Sequence, residues 1–170
     1  MGFTMYHTIK EFLDDWKSES ESTIKVFSNL TNESLNQRIT PKGRSLGRLA
    51  WHITATIGEM LNRTGLKFEE LNDDNNFPPH AADIIENYKS ASNSLEEKLS
   101  KEWTDESLPE QVNMYGEMWT KEAVLTSLIK HQIHHRAQMT VIMRAAGLKV
   151  PGIYGPAYEE WQQYNMNPME

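Results

Sequence analysis

His131 and His135 are the side chains whose type and spacing most directly offer chemistry in this 170-residue sequence. They sit in KHQIHHRAQM, Lys130 to Met139, in the middle of the longest uninterrupted helical pattern, about Thr120 to Ala146. An α-helix turns about 100° per residue, which places His131 and His135 in one stripe with Val124, Leu128, Met139, Ile142 and Ala146. His134 falls on a flank. A lone histidine on an apolar stripe is commonly a core residue bonded to a backbone carbonyl. Two of them four apart open a second reading. Cβ atoms roughly 5–6 Å apart let two neutral imidazoles converge on one ion, and neutral imidazole is the commonest metal ligand. A zinc helix of the HExxH type uses the same spacing, but Gln132 stands where its glutamate would be, so the likeness ends at geometry. On this pair alone both readings stay open.

Composition narrows the chemistry. The sequence has no cysteine, which excludes disulfides, thiolate metal sites and a cysteine nucleophile, and leaves His, Asp and Glu as ligands. Against 17 Lys+Arg stand 24 Asp+Glu, a formal net charge of −7 with no basic cluster, so a nucleic-acid partner is not expected. No stretch approaches the roughly 18–20 apolar residues that span a bilayer, and no basic segment leads into an apolar run as in a signal peptide. The expectation is a soluble cytoplasmic protein with no membrane partner, folded as a single domain over residues 1–170.

The elements that must position the histidines follow from periodicity. Ile9, Phe12, Leu13, Trp16, Ile24 and Phe27 mark a first amphipathic helix, about Met5 to Asn29, with Asp14, Asp15, Glu19 and Glu21 as a solvated face and His7 at its start. Ser45 is the N-cap of a second, ending near Arg63 before Gly65, with the stripe Leu46, Leu49, Ile53, Ile57 and Met60. His52 lies at the edge of that stripe and Glu59 on nearly the same line two turns on; by this helix alone they are a boundary residue and a surface charge. Leu66 to His80 is too long for a tight turn and is expected to cross from one end of the molecule to the other. A third helix is expected over about Ala82 to Ser100. Residues Val112 to Trp119 could form a short hairpin over the end of the bundle. The fourth helix starts at Thr120 and ends before Gly147, and Ala157 to Tyr164 reads as a short final helix. Leu125, Ile129 and Ile133 give the fourth helix a second apolar side. With Trp51, which points away from the main stripe of its helix, they suggest a homodimer; the alternative is packing within the chain.

Together these pieces resemble a known family. Trp51-His52-Ile53 on the second helix, His131-x-x-x-His135-Arg136-x-Gln138 on the fourth, and Val150-Pro151-Gly152-Ile153-Tyr154-Gly155-Pro156 after it look like the DinB-like (damage-inducible, YfiT-related) proteins, over nearly the whole length. The resemblance implies an all-α four-helix bundle running up-down-down-up, with a crossover between helices two and three. It also implies a three-histidine metal site at His52, His131 and His135. Three imidazoles with open positions suit Zn²⁺ or Ni²⁺ and describe a catalytic site more than a structural one. Gln138 could hold a bound water or orient a ligand, and Glu59 could support the site or act as a base; these are the catalytic candidates. Relatives in the family use a low-molecular-weight thiol of the bacillithiol type, so the implied activity is thiol-dependent S-transfer to an electrophilic substrate. Metal-dependent hydrolysis and a non-catalytic metal-binding or interaction bundle are the alternatives.

Overall fold

The computed structural model describes residues 4–72 and 76–168. Among these, four α-helices carry about half of the residues: α1 (Ile9–Phe27), α2 (Leu46–Asn62), α3 (Ala81–Glu102) and α4 (Lys121–Ala145). Each lies within a few residues of its periodic stretch. The largest displacement is the start of α1, expected at Met5 and found at Ile9. Thr8 is the cause: its Oγ1 accepts from the Glu11 backbone N–H at 3.1 Å, while the Glu11 carboxylate accepts from the backbone N–H groups of Thr8 (3.1 Å) and His7 (2.6 Å). This capping box closes the helix, and the preceding N–H groups turn elsewhere. Those of Met5 and Tyr6 donate to Glu122 Oε1 on α4 at 2.8 and 3.2 Å.

Helix α2 packs against α3 and α4, and α1 also packs against α3 and α4. One core runs between them, built from Phe12, Trp16 and Phe27 of α1, Leu49, Ile53 and Ile57 of α2, Ile84, Tyr88 and Leu95 of α3, and Val124, Leu128 and Met139 of α4. Because α4 touches both α1 and α2, its second apolar flank is also covered. Leu125 and Ile129 are 0% and 1% exposed and Ile133 is partly buried against the same core. Trp51 is buried too, its Nε1 donating to the Asn72 carbonyl at 2.8 Å. The apolar side read from the sequence as a subunit contact is thus interior to one chain. Among the described residues no helix is long and apolar enough to cross a membrane.

After α2 the chain turns at Gly65, whose φ of +96° suits glycine, and then retraces the helix. Phe68 and Glu69 lie over Gly58, Asn72 reaches Trp51, and the Phe77 ring fills the space that a Cβ on Gly47 would take. Helix α3 therefore starts beside the beginning of α2. The expected hairpin is present, with β1 (Gln111–Met114) antiparallel to β2 (Glu117–Thr120). Its turn has positive φ at both Tyr115 (58°) and Gly116 (94°), the two-residue arrangement whose twist matches paired strands. Thr120 ends β2 and caps α4, its Oγ1 accepting from the Ala123 N–H at 3.1 Å. The final helical stretch, Tyr158–Tyr164, is 3₁₀ rather than α.

Candidate metal centre

Two interleaved pairs of residues set the rotation of α4. His131 and His135 face α2, while Gln132 and Arg136, one position on in each case, face α1 and α3. Gln132 Oε1 accepts from the Tyr88 hydroxyl at 2.6 Å. Arg136 is almost fully enclosed, and its Nη2 donates to Glu19 Oε2 at 2.6 Å and to the Tyr154 hydroxyl at 2.7 Å. Its Nη1 donates to the Glu19 carbonyl (2.9 Å) and to Thr23 Oγ1 (3.2 Å), and the Tyr154 hydroxyl in turn donates to Glu19 Oε1 at 2.7 Å. Glu19, expected on a solvated face, is instead 5% exposed and is the counter-charge of Arg136. A buried charge needs a partner and a full set of hydrogen bonds, so this cluster strongly disfavours a slip of α4 by one residue.

With α4 so fixed, His131 and His135 meet His52 of α2. His131 Nε2 lies 3.0 Å from His52 Nε2. The ring centroids are 4.8 Å apart for His52 and His131, 4.8 Å for His52 and His135, and 4.4 Å for His131 and His135, all edge to face. One ligand nitrogen from each residue falls within 4.8 Å of the other two. His135 is buried and the other two are half-buried. Burial pushes the His131 imidazole down to about 3, with the neighbouring charges of His135, His52 and Arg44 adding to it. Burial likewise lowers His135, partly opposed by its hydrogen bond to Gln138. Both rings are neutral at neutral pH, the form that ligates a metal.

Gln138 accepts from His135 Nδ1 at 2.8 Å through its Oε1. That bond places the ring proton on Nδ1 and leaves the Nε2 lone pair for an ion, the outer support that metal-ligating histidines commonly have. The Gln138 amide nitrogen donates to His134 Nε2 at 3.0 Å. His134 is exposed and stands outside the three-histidine group, at the far end of this chain of bonds. Three imidazole nitrogens on two helices fit a divalent first-row ion.

Glu59 is elsewhere. Its Oε1 accepts from Arg63 Nε at 2.8 Å and its Oε2 from the Tyr115 hydroxyl at 2.7 Å, which ties the hairpin tip to the end of α2. It lines a different cleft, with Asn62, Arg63, Glu70 and Leu71, to which none of the three histidines contributes. His7 and His80 are exposed and also lie apart from the group. Beside His135 and Gln138 opens a cleft of about 390 Å³ that is not legible in the sequence, lined by Ile39, Arg44, Leu49, Val141 and Ile142. Its walls come from the loop before α2, from α2 and from α4, and no local pattern links those three segments.

Comparison with known proteins agrees with this architecture. The sequence model described as the DinB family matches residues 5–168. The chain is 44% identical over 162 residues to the protein YrdA of Bacillus subtilis (strain 168), covering 95% of this chain and 97% of that one. A crystal structure of a DinB-like protein from Bacillus cereus ATCC 10987 superposes with a TM-score of 0.85 at 46% identity, covering 88% of this chain and all of that one. The DinB-like protein YjoA of Bacillus subtilis, at 17% identity, shares the fold with a TM-score of 0.68 over 86% of this chain and 99% of its own. The chain belongs to the DinB family.

Proposed function

We propose that His52, His131 and His135 hold one divalent ion, Zn²⁺ or Ni²⁺, and that the protein is a thiol-dependent S-transferase acting on an electrophilic substrate. The observation that carries this is the convergence of three imidazoles from two helices, with a cleft of small-molecule size beside His135. A divalent ion there supplies Lewis acidity and lowers the pKa of a bound thiol or water. The chain's own part is to hold three lone pairs in place, through the Gln138 bond to His135 and the packing of α2 on α4, and to present the substrates from the cleft. In the transfer the thiol sulfur attacks an electrophilic carbon, an S–C bond forms, the leaving group departs with its bonding pair, and the thiol proton passes to solvent.

Hydrolysis fits less well. It calls for a base beside the attacking water, and both oxygens of Glu59 are engaged by Arg63 and Tyr115 at another cleft. The bundle reads as up-down-down-up, which the retracing of α2 by the crossover supports. So do the pairings of Met5 with Glu122 and Glu19 with Arg136, which run in the same direction along α1 and α4. We place the activity in the cytoplasm, where small thiols are kept reduced. The test is to load the protein with Zn²⁺ or Ni²⁺ and follow consumption of a low-molecular-weight thiol with an aryl halide electrophile. Metal-dependent thioether formation that is lost in His131→Ala supports the reading, and equal rates with metal-free protein would reject it.

A further inference from the structure

The cleft beside His135 holds one cation, Arg44, and no carboxylate among the described residues that line it. Arg44 stands apart from the other arginines of the chain. Arg63, Arg136 and Arg144 pair with Glu59, Glu19 and Glu159, Arg38 donates to the Pro41 carbonyl, and Arg48 is also engaged. No hydrogen bond or ion pair ties the Arg44 guanidinium to a described residue, yet its charge is felt at His131 and His135. Much of the rest of the lining is aliphatic. Leu49 and Ile142 are buried, while Ile39 and Val141 are 56% and 60% exposed. At about 390 Å³ the space matches a small-molecule site.

We propose that this cleft binds a small organic carboxylate, its head on Arg44 and its aliphatic body against Leu49, Val141 and Ile142, reaching toward His135. A guanidinium offers paired N–H groups that match the two oxygens of a carboxylate. The three imidazoles next to the cleft bring no negative charge to it, so the positive field of Arg44 at the mouth is not offset by them. In a chain of net charge −7 this is a local inversion of sign that selects an anion. One guanidinium suits a monoanion with a flat head better than a phosphate, whose larger charge draws on several donors. A carboxylate-bearing substrate is a finer form of the thiol-transfer reading and rests on it for its chemistry, whereas occupancy of the cleft depends on neither the ion nor turnover.

The experiment uses metal-free full-length protein and titrates hexanoate, 1-hexanol and hexyl phosphate by ligand-observed NMR. Wild type is expected to bind hexanoate most tightly of the three. Arg44→Gln is expected to weaken hexanoate by about fivefold or more, as for loss of a charge-assisted hydrogen bond at an exposed site, and to leave 1-hexanol unchanged. Val141→Glu, at an exposed rim position, sets a like charge in the cleft and is expected to weaken hexanoate as well. Both variants should take up zinc with the wild-type stoichiometry. Unchanged hexanoate affinity in Arg44→Gln, or equal binding of 1-hexanol and hexanoate by wild type, overturns the proposal, and tighter binding of hexyl phosphate overturns the choice of a carboxylate. Zinc uptake by His131→Ala equal to wild type would refute the metal site alone and leave the hexanoate result standing.

Discussion

Nε2 of His131 and Nε2 of His52 face each other at 3.0 Å across the contact between α2 and α4. Without an ion, one of the two must carry its proton on Nε2 for this approach to be a hydrogen bond. With Zn–N bonds of about 2.0–2.1 Å, two ligands on one ion stand roughly 3.3 Å apart, so the pair is already near the separation that ligation requires.

The first prediction concerns metal and stability. An ion that binds the folded state at about a thousand times its Kd adds about 4 kcal/mol, which for a chain of this size raises the Tm by on the order of 10 °C. Added zinc or nickel is expected to raise the Tm of wild type and His134→Ala, and to do little for His52→Ala, His131→Ala and His135→Ala. Calorimetry with metal analysis checks this; full occupancy in His135→Ala would show the wrong histidines have been named.

Gln138 is tested through affinity. Gln138→Leu removes the acceptor that fixes the His135 tautomer, and loss of such an outer partner lowers metal affinity by roughly 10–100-fold. A chelator-competition titration measures it. His134→Ala, which loses only the outer end of the bond chain, is expected to stay close to wild type, and an effect as large as that of Gln138→Leu would contradict the role given to the glutamine.

The third prediction is a matter of stability alone. Removing one partner of a buried pair strands the other charge, so Glu19→Ala or Arg136→Ala is expected to cost about 3–5 kcal/mol in urea denaturation. The double change Glu19→Leu with Arg136→Met strands no charge and is expected to recover much of that loss. If the double variant were as unstable as the sum of the two singles, the interaction would not be the source.

The pH dependence follows from His131. Its folded-state pKa is depressed to about 3 from the ordinary 6.5 or so, so between these values the unfolded chain binds more protons than the folded one. The stability it contributes is complete above pH 6.5 and is lost as the pH falls toward 3. Glu11, Glu33, Glu97, Glu106 and Glu160, whose carboxyls are also lowered, act in the same direction but only from about their ordinary 4.5 downward. The interval from pH 6.5 to 4.5 therefore isolates the histidines. Urea midpoints of metal-free wild type should fall across it, and those of His131→Gln should fall less steeply; a midpoint that rises on acidification would contradict the burial of His131.

What could be read from the sequence depended on how far apart the interacting residues lie along the chain. His131 and His135 are legible because both sit on one helix, where spacing alone fixes direction. His52 is not, since nothing local says which residue of α2 faces them, and only the family resemblance singled it out. Glu19 is illegible for the same reason: a charge among charges looks solvated until Arg136, 117 residues away, is placed against it. The true start of α1 was legible in Thr8 and Glu11, a capping-box pattern that hydrophobic periodicity ran past. Gln138 sits on the same helix as the two histidines, but its tie to His135 is visible only in side-chain geometry. Arg44 and its cleft join three separate segments and left no mark in any one of them.

The interleaving of His131 and His135 with Gln132 and Arg136 divides labour along a single helix. The residues that hold α4 in register are not the residues that offer lone pairs. A change at His131 or His135 therefore removes a lone pair while the seating of α4 against α1 and α3 keeps its own bonds.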